Sequence, residues 1–219
     1  MDEFCLKEIN KDVASTLFNV YLENDLKIKD DTSNLIFPKY NNGKIRISEQ
    51  EARIIFLKIL DSCNYCYSIE TPTLEKYIFS VNSEYENPNK EGRSACTDIC
   101  IYDKALNRVV NIELKAHIPK QMSFNKDFEK LFNEEKPTIK NWFHLLENKD
   151  SGTFKSLKDK FITATKEAHK KYPNKNKDIT ILFNICVLKP KLLFQKTLKY
   201  SNITDESIND FFENIEGWN

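Results

Sequence analysis

The sequence predicts an α/β domain, a mixed central β-sheet flanked by helices, over residues 47–219, preceded by a helical extension over residues 1–46. Three observations carry that expectation. Helical and extended apolar periodicities follow one another in the order helix, strands, helix, strand, helix, strand, the pattern of a single mixed layer structure. A chain of 219 residues that is 40% hydrophobic can bury one sizeable core. Only four glycines, and no internal repeat or long linker, argue against fibrous or low-complexity organisation.

Each element has its own signal. Asp2 to Asp31 reads as a helix, with Val13, Leu17, Val20 and Tyr21 at helical spacing. Pro38 and Asn41-Asn42-Gly43 mark a loop. A second helix starts at Ser48, where Ser48 and Glu51 fit a capping box and Ala52, Ile55, Phe56, Ile59 and Leu60 form one stripe. Tyr65–Glu70 and Lys76–Val81 read as two strands separated by Pro72, followed by a polar loop, Asn82 to Gly92. Thr97–Tyr102 and Val109–Leu114, joined by a turn around Asp103–Asn107, suit an antiparallel hairpin. Ser123 to Glu135 is helical, Trp142–Leu146 is a short apolar strand, and Thr153 to Tyr172 is a long amphipathic helix. Asp178–Leu188 is the most apolar strand, expected at the centre of the sheet, and Asp205–Asn214 forms a polar final helix.

Bulk properties narrow the function. No apolar run approaches the roughly 18 residues needed to span a bilayer, and residues 1–11 carry no secretory pattern, so a cytoplasmic protein is expected. Net charge is zero, but its distribution is uneven. Residues 1–150 carry 21 basic and 25 acidic side chains, residues 151–200 carry 12 lysines against three acids, and residues 201–219 carry five acids and no base. A local basic block of this kind suits a polyanionic partner, or simply a solvated helix face. Cys63 and Cys66, with Cys96 and Cys100, would permit a four-thiolate zinc or iron–sulfur site. The absence of glycine-rich knuckles favours reduced thiols instead, two of them inside strands. Neither a P-loop, a GxGxxG turn nor a Ser-His-Asp order is present.

The informative segment runs from Thr97-Asp98-Ile99-Cys100 to Ile112-Glu113-Leu114-Lys115. An acid opens one strand, and Glu-x-Lys closes the next. Side chains two apart share a face, so Glu113 and Lys115 project together, while Leu114 points to the apolar side. A glutamate and a lysine so placed cost solvation unless something uses them. Two carboxylates can hold Mg²⁺, which acidifies water and neutralises charge on a scissile phosphate, and a lysine beside them can stabilise that charge. The competing reading is a surface ion pair on an edge strand.

The spacing Asp98…Glu113-Leu114-Lys115 resembles the PD-(D/E)XK nuclease superfamily, over Ile47 to Leu188, with Thr97 where the motif's proline would stand. The resemblance implies a restriction-endonuclease-like fold and a Mg²⁺-dependent endonuclease acting on nucleic acid, DNA favoured, with Mn²⁺ as a substitute ion. It implies Asp98, Glu113 and the Leu114 carbonyl as metal ligands, Lys115 as the catalytic lysine, and an acid from the first core helix, either Glu49 or Glu51. Glu70, Arg93, Ser94, His117, Lys120, Lys170 and Lys171 are candidates for substrate contact. Trp142 and His144 read as core more readily than as a base-stacking platform, and His169 receives no role. A homodimer or a protein partner is compatible with all of this. The alternative from another class is a scaffold of the same fold that binds nucleic acid or protein without chemistry.

Overall fold

The computed structural model describes residues 2–28, 33–78, 92–173 and 178–213. They form one mixed α/β domain. Helices α1 (Glu3–Leu26) and α2 (Glu49–Ser62) precede strands β1 (Cys66–Tyr77), β2 (Arg93–Tyr102) and β3 (Arg108–Ala116). Then follow α3 (Gln121–Asn133), β4 (Ile139–Leu146), α4 (Ser151–Lys171), β5 (Thr180–Val187), β6 (Leu192–Lys199) and α5 (Asp205–Glu213). The six strands lie in sequence order, with β3, β4 and β5 mutually parallel and the outer pairings antiparallel. Among the described residues no helix is long and apolar enough to cross a membrane.

Alternation along the strands divides the core into two layers. Ile99, Ile101, Val110, Ile112, Leu114, Phe143 and Leu145 face α1 and α2. Trp142, Phe183, Ile185 and Phe194 face α3, α4 and α5. The second layer is aromatic: Phe161 lies 5.3 Å from Phe128, 5.6 Å from Trp142 and 5.4 Å from Phe212 between ring centroids. Each such pair contributes about 0.5–1.5 kcal/mol beyond area burial. Trp142 and His144 are fully buried there, as core side chains. His169 rests against Phe132 and Tyr200.

α1, inside the span expected as an extension, is built into the first layer, with Leu6, Val13, Ala14, Leu17 and Val20 fully buried. A buried amide chain ties it to the sheet. Asn10 and Asn141 exchange hydrogen bonds of 2.9 and 3.0 Å, Asn184 donates to Asn141 at 2.9 Å, and Gln195 donates to Asn184 at 2.9 Å. One polar residue each from α1, β4, β5 and β6 is thereby satisfied by its neighbour, as burial requires.

Two expectations are corrected, and one strand is additional to those expected. The two strands placed around Pro72 are one strand, β1, because Pro72 sits on an edge strand, where a missing N–H need not break the ladder. The register shifts between Pro72 and Lys76, and the Thr73 hydroxyl accepts the Ala95 N–H at 2.9 Å in place of a backbone partner. Residues 79–81 of the second expected strand, and most of the Asn82–Gly92 loop, fall outside the described residues. The strand read as Asp178–Leu188 is β5, fifth of six rather than central, because β6 adds outside it. β6 corresponds to no expected element: Gln195 and Lys196 interrupt the apolar pattern of Leu192–Leu198.

Candidate active site

β2 and β3 pair as far as Ile99↔Ile112 and then part: β2 continues along β1, while β3 continues along β4. Asp98 lies at the fork. Its Oδ2 accepts the Leu114 N–H at 2.7 Å, bridging the two strands where their backbones separate. Its Oδ1 takes Arg53 of α2, also at 2.7 Å, and the same guanidinium nitrogen meets Glu70 Oε1 of β1 at 2.7 Å. Glu70 adopts φ +48°, an uncommon conformation for a non-glycine residue that accompanies its turn toward the fork.

Glu113 and Lys115 project from β3 toward α3, on the face opposite Leu114, as the alternation requires. Glu113 is 1% exposed, and its carboxylate meets Lys130 of α3 at 2.5 Å. Burial, reinforced by the nearby Asp127 and Asp98 carboxylates, raises the Glu113 pKa well above the usual range, with Lys130 opposing. Lys130 also donates to the Cys96 carbonyl at 2.8 Å and meets Asp127 at 2.9 Å. Lys115 meets the second oxygen of Asp127 at 2.8 Å and Glu49 of α2 at 3.5 Å. Burial works against the charged form of both lysines, but the surrounding carboxylates outweigh it and keep both protonated. Glu49 is raised by burial, and further by Asp98 and Asp127.

This geometry separates the two helix acids. Glu51 closes the capping box: its Oε2 accepts the Ser48 N–H at 2.7 Å and the Ser48 hydroxyl at 2.6 Å. Glu49, one residue into the helix, faces Lys115. Asp98, Glu113, Lys115, Glu49 and Glu70 therefore come together; Glu51 belongs to the cap.

The remaining candidates lie elsewhere. Arg93 and Ser94 pair with Tyr77 and Lys76, four and more residues along β2 from Asp98, or about 13 Å and beyond at strand spacing. His117 lies past the end of β3, its Nε2 hydrogen-bonded to the Ile47 carbonyl at 2.8 Å, and Lys120 is an exposed residue at the start of α3. Lys170 and Lys171 end α4, with Lys171 held by Glu129 at 2.6 Å. Of the lysine run expected to hold a polyanion, residues 174–177 lie outside the described residues.

The cysteines are apart: Cys66 pairs with Tyr102 and Cys96 with Pro72, so six residues of β1, about 20 Å, separate them. All six are free thiols, and Cys100 donates to Asn111. Three participants escaped the sequence reading: Arg53, Asp127 and Lys130. On a helical wheel they border the apolar stripes, where a charged residue can turn either to solvent or to the sheet. The signal available for α3 was an acid and a base three residues apart beside Phe124, Phe128 and Leu131.

Five carboxyl groups (Glu49, Glu70, Asp98, Glu113 and Asp127) share this region with three cations, Arg53, Lys115 and Lys130, a formal excess of two acids. Oxygen donors with that excess suit a hard divalent cation. Among the described residues no three acid, imidazole or thiol side chains stand close enough to enclose an ion as they are. The carboxylates are engaged by lysine and arginine instead.

The fold and this cluster define a class: a six-stranded mixed α/β protein with a buried acid–lysine centre where two strands fork. Comparison with protein-family models, curated proteins and solved structures returns no match.

Proposed function

We propose that the protein is a metal-dependent nuclease of the PD-(D/E)XK kind, hydrolysing phosphodiester bonds of nucleic acid, with DNA favoured. One observation carries the reading. An acid from α2, an acid from β2 and a Glu-x-Lys from β3 converge at the fork, although 64 residues separate the first from the third. A solvated ion pair on an edge strand would need neither the fork nor the burial; β3 is an interior strand, and Lys115 is buried.

Asp98, Glu113 and the Leu114 carbonyl would hold Mg²⁺ or Mn²⁺, with Glu49 beside them. When bound, the ion supplies acidified water and neutralises charge developing on the phosphate. The protein's own groups provide the rest. Arg53 fixes the Asp98 carboxylate, the Leu114 N–H fixes its other oxygen, and Lys115, kept protonated by Asp127 and Glu49, presents positive charge to the phosphate.

The second reading, a binding scaffold of this fold, draws on the cations that already engage the carboxylates. A gel assay separates the two. Wild type, Asp98→Ala and Lys115→Ala are incubated with supercoiled plasmid, single-stranded DNA and RNA, in Mg²⁺, Mn²⁺ or EDTA. The nuclease reading expects metal-dependent cutting that both variants lose. Well-folded wild type that cuts none of these substrates favours the scaffold.

The two helix acids give a finer prediction. Glu49→Gln should slow cleavage about 10–100-fold, the usual effect of losing a group that orients a metal site. Glu51→Gln should cost up to about 1 kcal/mol of stability, through the cap, and leave the rate within about twofold. Reversed effects would place Glu51, not Glu49, at the site.

A further inference from the structure

Lys130 is the group that most directly opposes a cation at this centre, and it lies outside the Asp…Glu-x-Lys pattern. Its ammonium has three donors, and three acceptors are present: Glu113 at 2.5 Å, the Cys96 carbonyl at 2.8 Å and Asp127 at 2.9 Å. Glu113 is closed to bulk water, so this ammonium is its counter-charge. Asp127 is shared, one oxygen to Lys130 and the other to Lys115 at 2.8 Å.

We propose that Lys130 is a built-in counterion which a divalent cation must displace from Glu113, with Asp127 and the Cys96 carbonyl retaining the released ammonium. The proposal rests on the nuclease reading and adds a regulator of the same site. Displacement is feasible because only one of three contacts is given up. It sets cation affinity because the displaced charge stays within a few ångströms of the ion, held by α3. The wild type therefore binds cations weakly on its own and gains affinity when a phosphodiester adds negative charge. α3 thus couples ion binding to substrate through Lys130 and Asp127, neither of which belongs to the Asp…Glu-x-Lys pattern.

The test is calorimetry of Mn²⁺ binding to the metal-free full chain, comparing wild type with Lys130→Met. Loss of a unit charge a few ångströms from the ion should tighten binding by at least about 10-fold, the scale expected even at a water-like dielectric. Equal or weaker binding by folded Lys130→Met overturns the proposal. Should Lys130→Met fail to fold, the wild type supplies the answer through its lysine ammonium NMR signals, with Lys130 assigned from Lys130→Arg. Addition of Mg²⁺ should move the Lys130 signal and alter its proton exchange, leaving that of Lys160, bonded to the Pro119 carbonyl, in place. An unmoved Lys130 signal under conditions where Mg²⁺ binds overturns the proposal while sparing the cation site. Absence of binding heat from both proteins overturns it together with the nuclease reading.

Discussion

Glu113→Gln should lower metal-dependent cleavage by about 10²–10³-fold, the scale of removing one preorganised charged group from a reacting centre, while the protein melts within about 3 °C of wild type. The two halves of that expectation come from different contacts. Cleavage falls because the amide cannot supply the negative charge that Glu113 offers at the fork. Stability holds because Lys130 keeps Asp127 at 2.9 Å and the Cys96 carbonyl at 2.8 Å, so no buried cation is stranded. The isosteric amide also removes a carboxylate whose burial already works against its charge. Unpairing in the other direction is harsher: without Lys130, Glu113 would be a buried anion with no counter-charge in contact, a situation that costs about 3–5 kcal/mol. Undiminished cleavage by Glu113→Gln would remove Glu113 from the chemistry. A fall in melting temperature of 10 °C or more, roughly 3 kcal/mol or more at this chain length, would make Glu113 mainly a structural partner of Lys130.

The largest gain in stability is expected from Lys140→Met. Lys140 is fully buried on β4, and its Nζ has no hydrogen-bond partner among the described residues. Burial pulls its pKa down to about 8, with Glu134 and other acids only partly offsetting the effect. Below pH 8 both folded and unfolded chains carry the proton, and the folded one bears the full cost of the buried charge. Between about pH 8 and the ordinary value of 10.5 the folded lysine is neutral while the unfolded one is still charged, so this contribution to stability rises with pH. The displacement from 10.5 to about 8 corresponds to about 3 kcal/mol. Lys140→Met should therefore raise the melting temperature at pH 7 by roughly 6–12 °C and flatten the alkaline rise. Thermal melts of both proteins from pH 6 to 10 check this. An unchanged or lower melting temperature at pH 7 would show that the ammonium is satisfied by ordered water.

The hairpin carrying Asp98 and Glu113, the Ser48 capping box and the amphipathic stripes were legible in the sequence because each rests on neighbours within one element. The sequence opens the Asp98 strand at Thr97, whereas β2 begins at Arg93 and Asp98 lies inside it, at the point where pairing with β3 ends. Glu49 and Glu51 could not be separated, since a cap acid and a site acid differ only in which way a first-turn side chain swings. Arg53, Asp127 and Lys130 were invisible for a related cause: helical periodicity reports the apolar stripe, and says nothing about which flanking charge reaches across to another element. Pro72 misled because proline was read as a strand break without knowing that β1 is an edge. Glu134 shows the limit most clearly. The periodicity places it in the last turn of the Ser123–Glu135 helix with no role, yet its carboxylate is buried and accepts the Leu74 and Glu75 N–H groups at 3.0 and 2.8 Å, and the Tyr77 hydroxyl at 3.0 Å.

The amide chain through Asn10 has a consequence for assembly. Asn10 is separated from its partner Asn141 by 131 residues. At translation rates of about 5–20 residues per second, roughly 7–26 s pass between synthesis of the two. α2 can shelter part of α1 in that interval, and the Asn10 amide can donate to the Leu6 carbonyl of its own helix at 2.8 Å, but the two bonds it exchanges with Asn141 await β4. α1 is thus made well before the strand that locks it, and until then the Asn10 amide depends on its own helix and on water for its bonds.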